Sequence, residues 1–108
     1  MKFGGSISNR RLVGEVQKTR PAVIVSNNFS NQMLNRLQVV PITSRIDRVY
    51  SCEAIVSLNG EVRKAMADQI ATVSKLRFGA KRGVLSESDL SLVAQAIRVQ
   101  LGLNKAGV

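Results

Sequence analysis

Two short stretches carry the residue types that can do chemistry. Lys18-Thr19-Arg20-Pro21 sets a cation at the mouth of the apolar run Pro21 to Val25, where the proline ring fixes its own backbone and restricts the residue before it. Arg20 is therefore held rather than floating. Thr43 and Ser44 close a second apolar run, Leu37 to Thr43, and are followed by Arg45 and Arg48. A guanidinium offers a planar fork of N–H donors matched to phosphate oxygens, and a threonine hydroxyl can donate to the same group. If the two runs lie side by side in a sheet, Arg20 and Thr43 converge at one end of it. Each residue also has a plainer reading, a surface ion pair for Arg20 and a turn hydroxyl bonded to backbone for Thr43.

The rest of the inventory narrows the chemistry. With no histidine the commonest general base near neutral pH is missing, so catalysis has to rest on arginine, hydroxyl, carboxylate or backbone groups. The single cysteine, Cys52, forms no internal disulfide, and one thiol without histidine is no ligand set for zinc or another transition metal; no metal or other cofactor is expected. Sixteen Lys and Arg against seven Asp and Glu leave a net charge of +9, which makes polyanions the natural partners. Lys18, Arg45, Arg48 and the group Lys75, Arg77, Lys81 and Arg82 suit the path of a nucleic-acid backbone, although each alone also suits a solvated surface. Three Phe, one Tyr and no Trp offer no extended stacking platform for bases.

The elements that must position these groups are short strands. A chain of 108 residues supports one domain, expected over 1–108, and 44% hydrophobic with 21% charged residues is a globular composition. The apolar runs are far short of a membrane span and the N-terminus lacks the apolar core of a signal peptide, so a cytoplasmic protein is expected. Residues 1–19 are polar, basic and glycine-containing, with Phe3, Ile7, Leu12 and Val13 as their only hydrophobic alternation. They read as a frayed first strand followed by a mobile loop. Pro21 to Ser26 is β-branched and apolar, a buried strand leaving into a polar loop at Asn27-Asn28. Leu37 to Thr43 is a second strand, in which Pro41 demands an edge, a bulge or a strand end. Arg45 to Arg48 is a charged turn. Ser51 to Leu58 alternates, with Cys52, Ala54, Val56 and Leu58 on one face, as a half-buried antiparallel strand does. Asn59-Gly60 is a tight-turn signal, and the segment on to Val73 reads as one further strand. From Ser86 the period becomes helical: Leu90, Val93, Ile97 and Leu101 recur until Gly102, with Ser86 as cap and Asp89 three residues on. Such an amphipathic helix serves to cover the open side of a small barrel. Residues 104–108 are a tail.

Several of these stretches resemble one family. Gly14-Glu15-Val16-Gln17-Lys18-Thr19-Arg20-Pro21-Ala22-Val23-Ile24-Val25-Ser26-Asn27 is similar to the glycine-Glu loop and the T-R-P-A-V-V-V-S-N strand of the MazF/PemK toxins. Val40-Pro41-Ile42-Thr43-Ser44 resembles their V-P-I-T-S strand end, Ala67-Asp68-Gln69-Ile70 their D-Q-I segment, and Gly83 to Leu103 their closing helix. The likeness runs over residues 14 to 103, in the family's order. At the first strand, where the family often has R-G-D-I-x-W-V, this chain has Met1-Lys-Phe-Gly-Gly-Ser-Ile-Ser-Asn-Arg10 and lacks the usual Asp and aromatic.

The resemblance implies an α+β, mainly β fold, a small SH3-like barrel of the MazF/PemK/CcdB type with a C-terminal amphipathic helix. It implies a homodimer that cuts single-stranded RNA, in practice mRNA, at short preferred sequences without metal, and that is neutralised by a cognate antitoxin whose acidic segment fills the basic groove. Arg20 and Thr43 match the family's catalytic Arg and Thr, and Glu15 matches an acidic loop residue important in some members. Glu15 is then a candidate general base, or a loop carboxylate that pairs with Lys18. Thr19, Ser44, Asp68 and Gln69 join the basic residues above as expected RNA contacts. RNA suits such a site because its own 2′-hydroxyl can attack the adjacent phosphorus and leave a 2′,3′-cyclic phosphate, so the protein has only to orient the strand and stabilise added negative charge. Two other functions fit the same barrel: a CcdB-like toxin that poisons DNA gyrase, and a basic barrel that binds RNA without cutting it.

Overall fold

The structure is a computed structural model that describes residues 9–16 and 20–103. Phe3 and Ile7 of the expected first strand, the RNA-contact candidates Lys18 and Thr19, and the tail 104–108 lie outside the described residues. In chain order the elements are β1 (Leu12–Val16), β2 (Arg20–Ile24), α1 (Asn28–Met33), β3 (Arg36–Thr43), β4 (Glu53–Leu58), β5 (Glu61–Met66), β6 (Ala71–Ser74), β7 (Phe78–Val84) and α2 (Glu87–Leu101). One antiparallel sheet runs β4-β5-β3-β2-β1-β7, with β6 also paired to β3, and curls into a small SH3-like barrel.

β3 organises the sheet because it changes partner along one edge. Arg36 to Val39 pair with β6, whereas Ile42 and Thr43 pair with β5. Pro41 stands at the changeover. Val25 donates to the Gln38 carbonyl at 2.9 Å, and counting alternate pairs from there turns the Pro41 nitrogen away from β2, toward the gap between β5 and β6. The proline that threatened the strand thus occupies the one place where no N–H is wanted.

Alternation divides the apolar residues between two cores. Val13, Val23, Val40, Ile42, Ala54, Val56 and Ala65 form one, sealed by Leu90, Val93 and Ala96 of α2. Leu12, Val16, Ala22, Ile24, Leu37, Val39 and Phe78 form the other, inside the curl. Phe78 closes that second core over Gly14, where an added Cβ would lie 2.5 Å from two ring carbons.

α2 begins where Ser86 Oγ accepts from the Asp89 N–H at 3.0 Å and ends at Gly102 in the left-handed region, with Leu103 donating to the Arg98 carbonyl at 2.8 Å. Leu101, expected on its buried stripe, is exposed. The Asn59-Gly60 turn has φ of 54° and 82°, as a two-residue hairpin of this hand requires.

Three expectations need correction, and one element, β7, was not read at all. Leu12–Val16 form a firm strand, buried at Leu12, Val13 and Val16, within the stretch read as a frayed strand and a mobile loop. Asn27 and Asn28 do not leave into a loop: Asn27 caps α1, and the buried Asn31 amide donates to the Ser26 carbonyl at 2.7 Å. The single strand expected up to Val73 is two, β5 and β6, because the 3₁₀ turn Ala67–Gln69 carries the chain past the Pro41 gap. Finally, β7, written in the unpromising residues FGAKRGV, pairs with β1 through two register shifts.

Candidate active site

The β2–β3 register points Arg20 and Thr43 toward the same end of the ladder. Its pairs run Ile24↔Val39, Val23↔Val40 and Ala22↔Pro41. Continued by two residues, the same register sets Arg20 opposite Thr43. The ladder itself ends at Ala22↔Pro41, short of that pair, and alternation sets both residues on one face at its end. Arg20 is exposed and Thr43 half-buried. Thr43 Oγ1 accepts the Arg45 N–H at 3.2 Å. That bond is the turn contact of the plainer reading, and it leaves the hydroxyl proton free to donate elsewhere. Ser44 and Arg45 follow directly and are exposed.

Thr43 also has a neighbour on its other side, which sequence reasoning missed. Thr43 pairs with Lys64 of β5, and Lys64 pairs in turn with Ile55 of β4. The Lys64 side chain is only 11% exposed, and its Nζ lies 2.8 Å from the Arg48 carbonyl and 3.2 Å from Glu53 Oε1. Glu53 Oε1 accepts the Tyr50 N–H at 2.9 Å, and Arg48 Nη1 reaches the Tyr50 hydroxyl at 3.2 Å. One buried ion pair therefore ties the 44–52 loop to the strand beside Thr43. The signal was present in the sequence: a two-residue Asn59-Gly60 turn fixes the β4–β5 register, and with it the diagonal approach of Glu53 to Lys64.

The remaining candidates are spread around the barrel. Glu15 sits within β1, not in a loop, directly across from Pro21 and so on the face opposite to Arg20. Its Oε2 lies 2.8 Å from Arg82 Nη1 on β7. Lys81 is exposed on the same strand. Asp68 and Gln69 occupy the 3₁₀ turn beside the Pro41 gap, with Gln69 Nε2 3.5 Å from Met66 Sδ. Lys75 and Arg77 lie in a second 3₁₀ turn, where the Lys75 N–H donates to the Asn35 carbonyl at 3.0 Å. That is the end of β3 remote from Thr43, roughly 25 Å away along the strand.

Cys52, near this loop, has its thiol pKa pushed up by burial first and by the Asp68 and Glu53 carboxylates second, so at neutral pH it is a weak nucleophile. Among the described residues no three His, Cys, Asp or Glu gather as a metal site would need. Among them, too, no helix is long and apolar enough to cross a membrane.

The fold has known counterparts. Residues 7–101 match the family described as PemK-like, MazF-like toxin of type II toxin-antitoxin system. A relative called Endoribonuclease MazF9, from Mycobacterium tuberculosis (strain ATCC 25618 / H37Rv), is 33% identical over 98 residues, spanning 82% of this chain and 83% of its own. A solved endoribonuclease from a mycobacterial species superposes with a TM-score of 0.81 at 22% identity, covering 94% of this chain and 96% of that one. Another, solved in complex with its cognate antitoxin, gives 0.80 at 23% identity over 88% of this chain and 95% of that one. At such identities the two structures speak for the fold, and the family match with the 33% relative speaks for descent. The chain belongs to the PemK-like, MazF-like toxins of type II toxin-antitoxin systems.

Proposed function

We propose that this chain is an endoribonuclease that cuts single-stranded RNA, mRNA above all, at short preferred sequences in the cytoplasm. The observation that carries the proposal is the β2–β3 register, which, continued two residues past Ala22↔Pro41, sets Arg20 and Thr43 at one end of the ladder. A phosphate held there meets the Arg20 fork and the free hydroxyl proton of Thr43. The 2′-oxygen of the preceding ribose attacks phosphorus in line and gives up its proton; the bond to the 5′-oxygen breaks, and that oxygen takes a proton. The products are a 2′,3′-cyclic phosphate and a 5′-hydroxyl. Arg20 stabilises charge first and protonates the leaving oxygen second. The 2′-proton goes to solvent or to a carboxylate, and Glu15 can take it only after leaving Arg82. Ser44, Arg45 and Arg48 flank the scissile phosphate, while Lys18, Thr19, Asp68, Gln69, Lys75, Arg77, Lys81 and Arg82 serve the RNA on either side.

Support comes from the relative's name, an endoribonuclease, and from a neighbour solved with its cognate antitoxin. An antitoxin with an acidic segment complements a net charge of +9. A second copy of the chain is the other proposed partner, because Leu92, Leu101 and Leu103 leave apolar surface exposed on and just beyond α2.

The test is incubation of the purified protein, in EDTA, with a long defined single-stranded RNA, mapping cut ends beside an Arg20→Ala control. Discrete cuts with cyclic phosphate ends, absent from the control, are expected. Loss of cleavage in EDTA would overturn the metal-free mechanism. RNA binding without cuts would instead leave a binding barrel, and gyrase inhibition would then be assayed.

A further inference from the structure

The loop beside Thr43 carries an aromatic ring that the phosphate chemistry leaves unused. Tyr50 is the chain's one tyrosine, and it is 55% exposed. An exposed ring on a loose loop would mean little, but Tyr50 is anchored at three points. Its N–H is held by Glu53 Oε1, its carbonyl accepts the Glu53 N–H at 2.9 Å, and its hydroxyl meets Arg48. Glu53 is itself fixed by Lys64, which stands across from Thr43. Alternation places Thr43, Lys64 and Glu53 on one face of three adjacent strands, so the anchor of Tyr50 shares the face of the proposed phosphate site. Arg48 meets Tyr50 at its hydroxyl, and more than half of the residue's surface stays open to other contacts. Two guanidiniums nearby, Arg45 and Arg48, suit the backbone of whatever the ring meets.

Resting on the reading of Arg20 and Thr43 as the phosphate site, we propose that Tyr50 is a specificity-determining residue that stacks on one unpaired base of the RNA beside the scissile phosphate, with Lys64 and Glu53 as the positioning pair that presents it. A ring face accepts any base to some degree, whereas a base locked in a duplex offers none, so the residue selects single strands first and favours strongly stacking bases second. Loss of base–aromatic stacking lowers affinity by about 5- to 150-fold.

The chain supplies its own reporter. With one tyrosine and no tryptophan, its intrinsic fluorescence is that of Tyr50 alone. Titration with a short unstructured RNA carrying 2′-deoxy sugars, which cannot be cut, should quench this emission saturably after correction for oligonucleotide absorption. Anisotropy of the same RNA, labelled, should show binding weakened at least fivefold by Tyr50→Ala and less than threefold by Tyr50→Phe. Lys64→Met, or Glu53→Gln if the former does not fold, should weaken binding similarly and add little in combination with Tyr50→Ala, since paired residues that act through one contact are not additive. Binding without quenching, or binding indifferent to Tyr50→Ala, overturns the assignment. Additive losses overturn the positioning role of Lys64 and Glu53. Quenching by uncuttable RNA together with failure to cleave ordinary RNA removes the nuclease reading and leaves the stacking site standing.

Discussion

Arg20 and Thr43 are not interchangeable in what they offer a phosphate. A lysine at position 20 would keep the charge but lose the planar fork, so Arg20→Lys should cleave nearly as poorly as Arg20→Ala. Thr43→Ala removes one hydrogen-bond donor from the developing charge and should cut kcat by roughly 10²- to 10³-fold. Because Arg20 is exposed and Thr43 half-buried, both variants should keep wild-type thermal stability to within about 1 kcal/mol. A large stability loss would mean that these residues hold the barrel together instead. Glu15 separates two roles. A carboxylate occupied by Arg82 is a spectator of proton transfer, so Glu15→Gln should leave kcat within about threefold, whereas a hundredfold fall would give it the base's part. Quench-flow rates on one short RNA measure all of these. The places of Arg20 at the start of β2 and Thr43 at the end of β3 were legible from sequence because a proline and a strand end pin them. Lys64 went unread, since within EVRKAM its burial follows only from the Asn59-Gly60 hairpin that sets Glu53 diagonal to it.

Among the elements, strands with strong side-chain patterns were legible and those defined by their partners were not. β2, β4 and α2 announce themselves by β-branched runs, period-two alternation and helical spacing. α1 is six residues long, too short for a helical period to show, and depends on Asn27 and Asn31 bonding to their surroundings. β7 has two glycines and two cations in seven residues, and what makes it a strand is the edge of β1 together with the seat that Gly14 offers Phe78. Gly14→Ala should therefore be costly in spite of its small size. The new methyl drives into a ring that is 2% exposed and has nowhere to go, an overpacking expected to cost about 1–3 kcal/mol. Chemical denaturation should report that loss. An unchanged midpoint would show that the ring can swing aside.

For the molecule as a whole, charge governs encounter and the barrel governs precision. A net charge of +9 on so small a domain predicts that the RNA dissociation constant rises steeply between low and physiological salt, while kcat at saturating RNA hardly moves. A flat salt response would restrict the RNA contact to the Arg20–Thr43 pocket. The closure of β1 onto β7 has a consequence in time as well. β1–β2 and β4–β5 are local hairpins, but Val16 meets Phe78 only after more than sixty intervening residues have been joined. Long-range pairings of this kind form late. During synthesis the inner core under Ala22, two residues from Arg20, stays open until Phe78 has left the ribosome. The strand that carries Arg20 thus gains its packed floor only when the last strand of the barrel has been made.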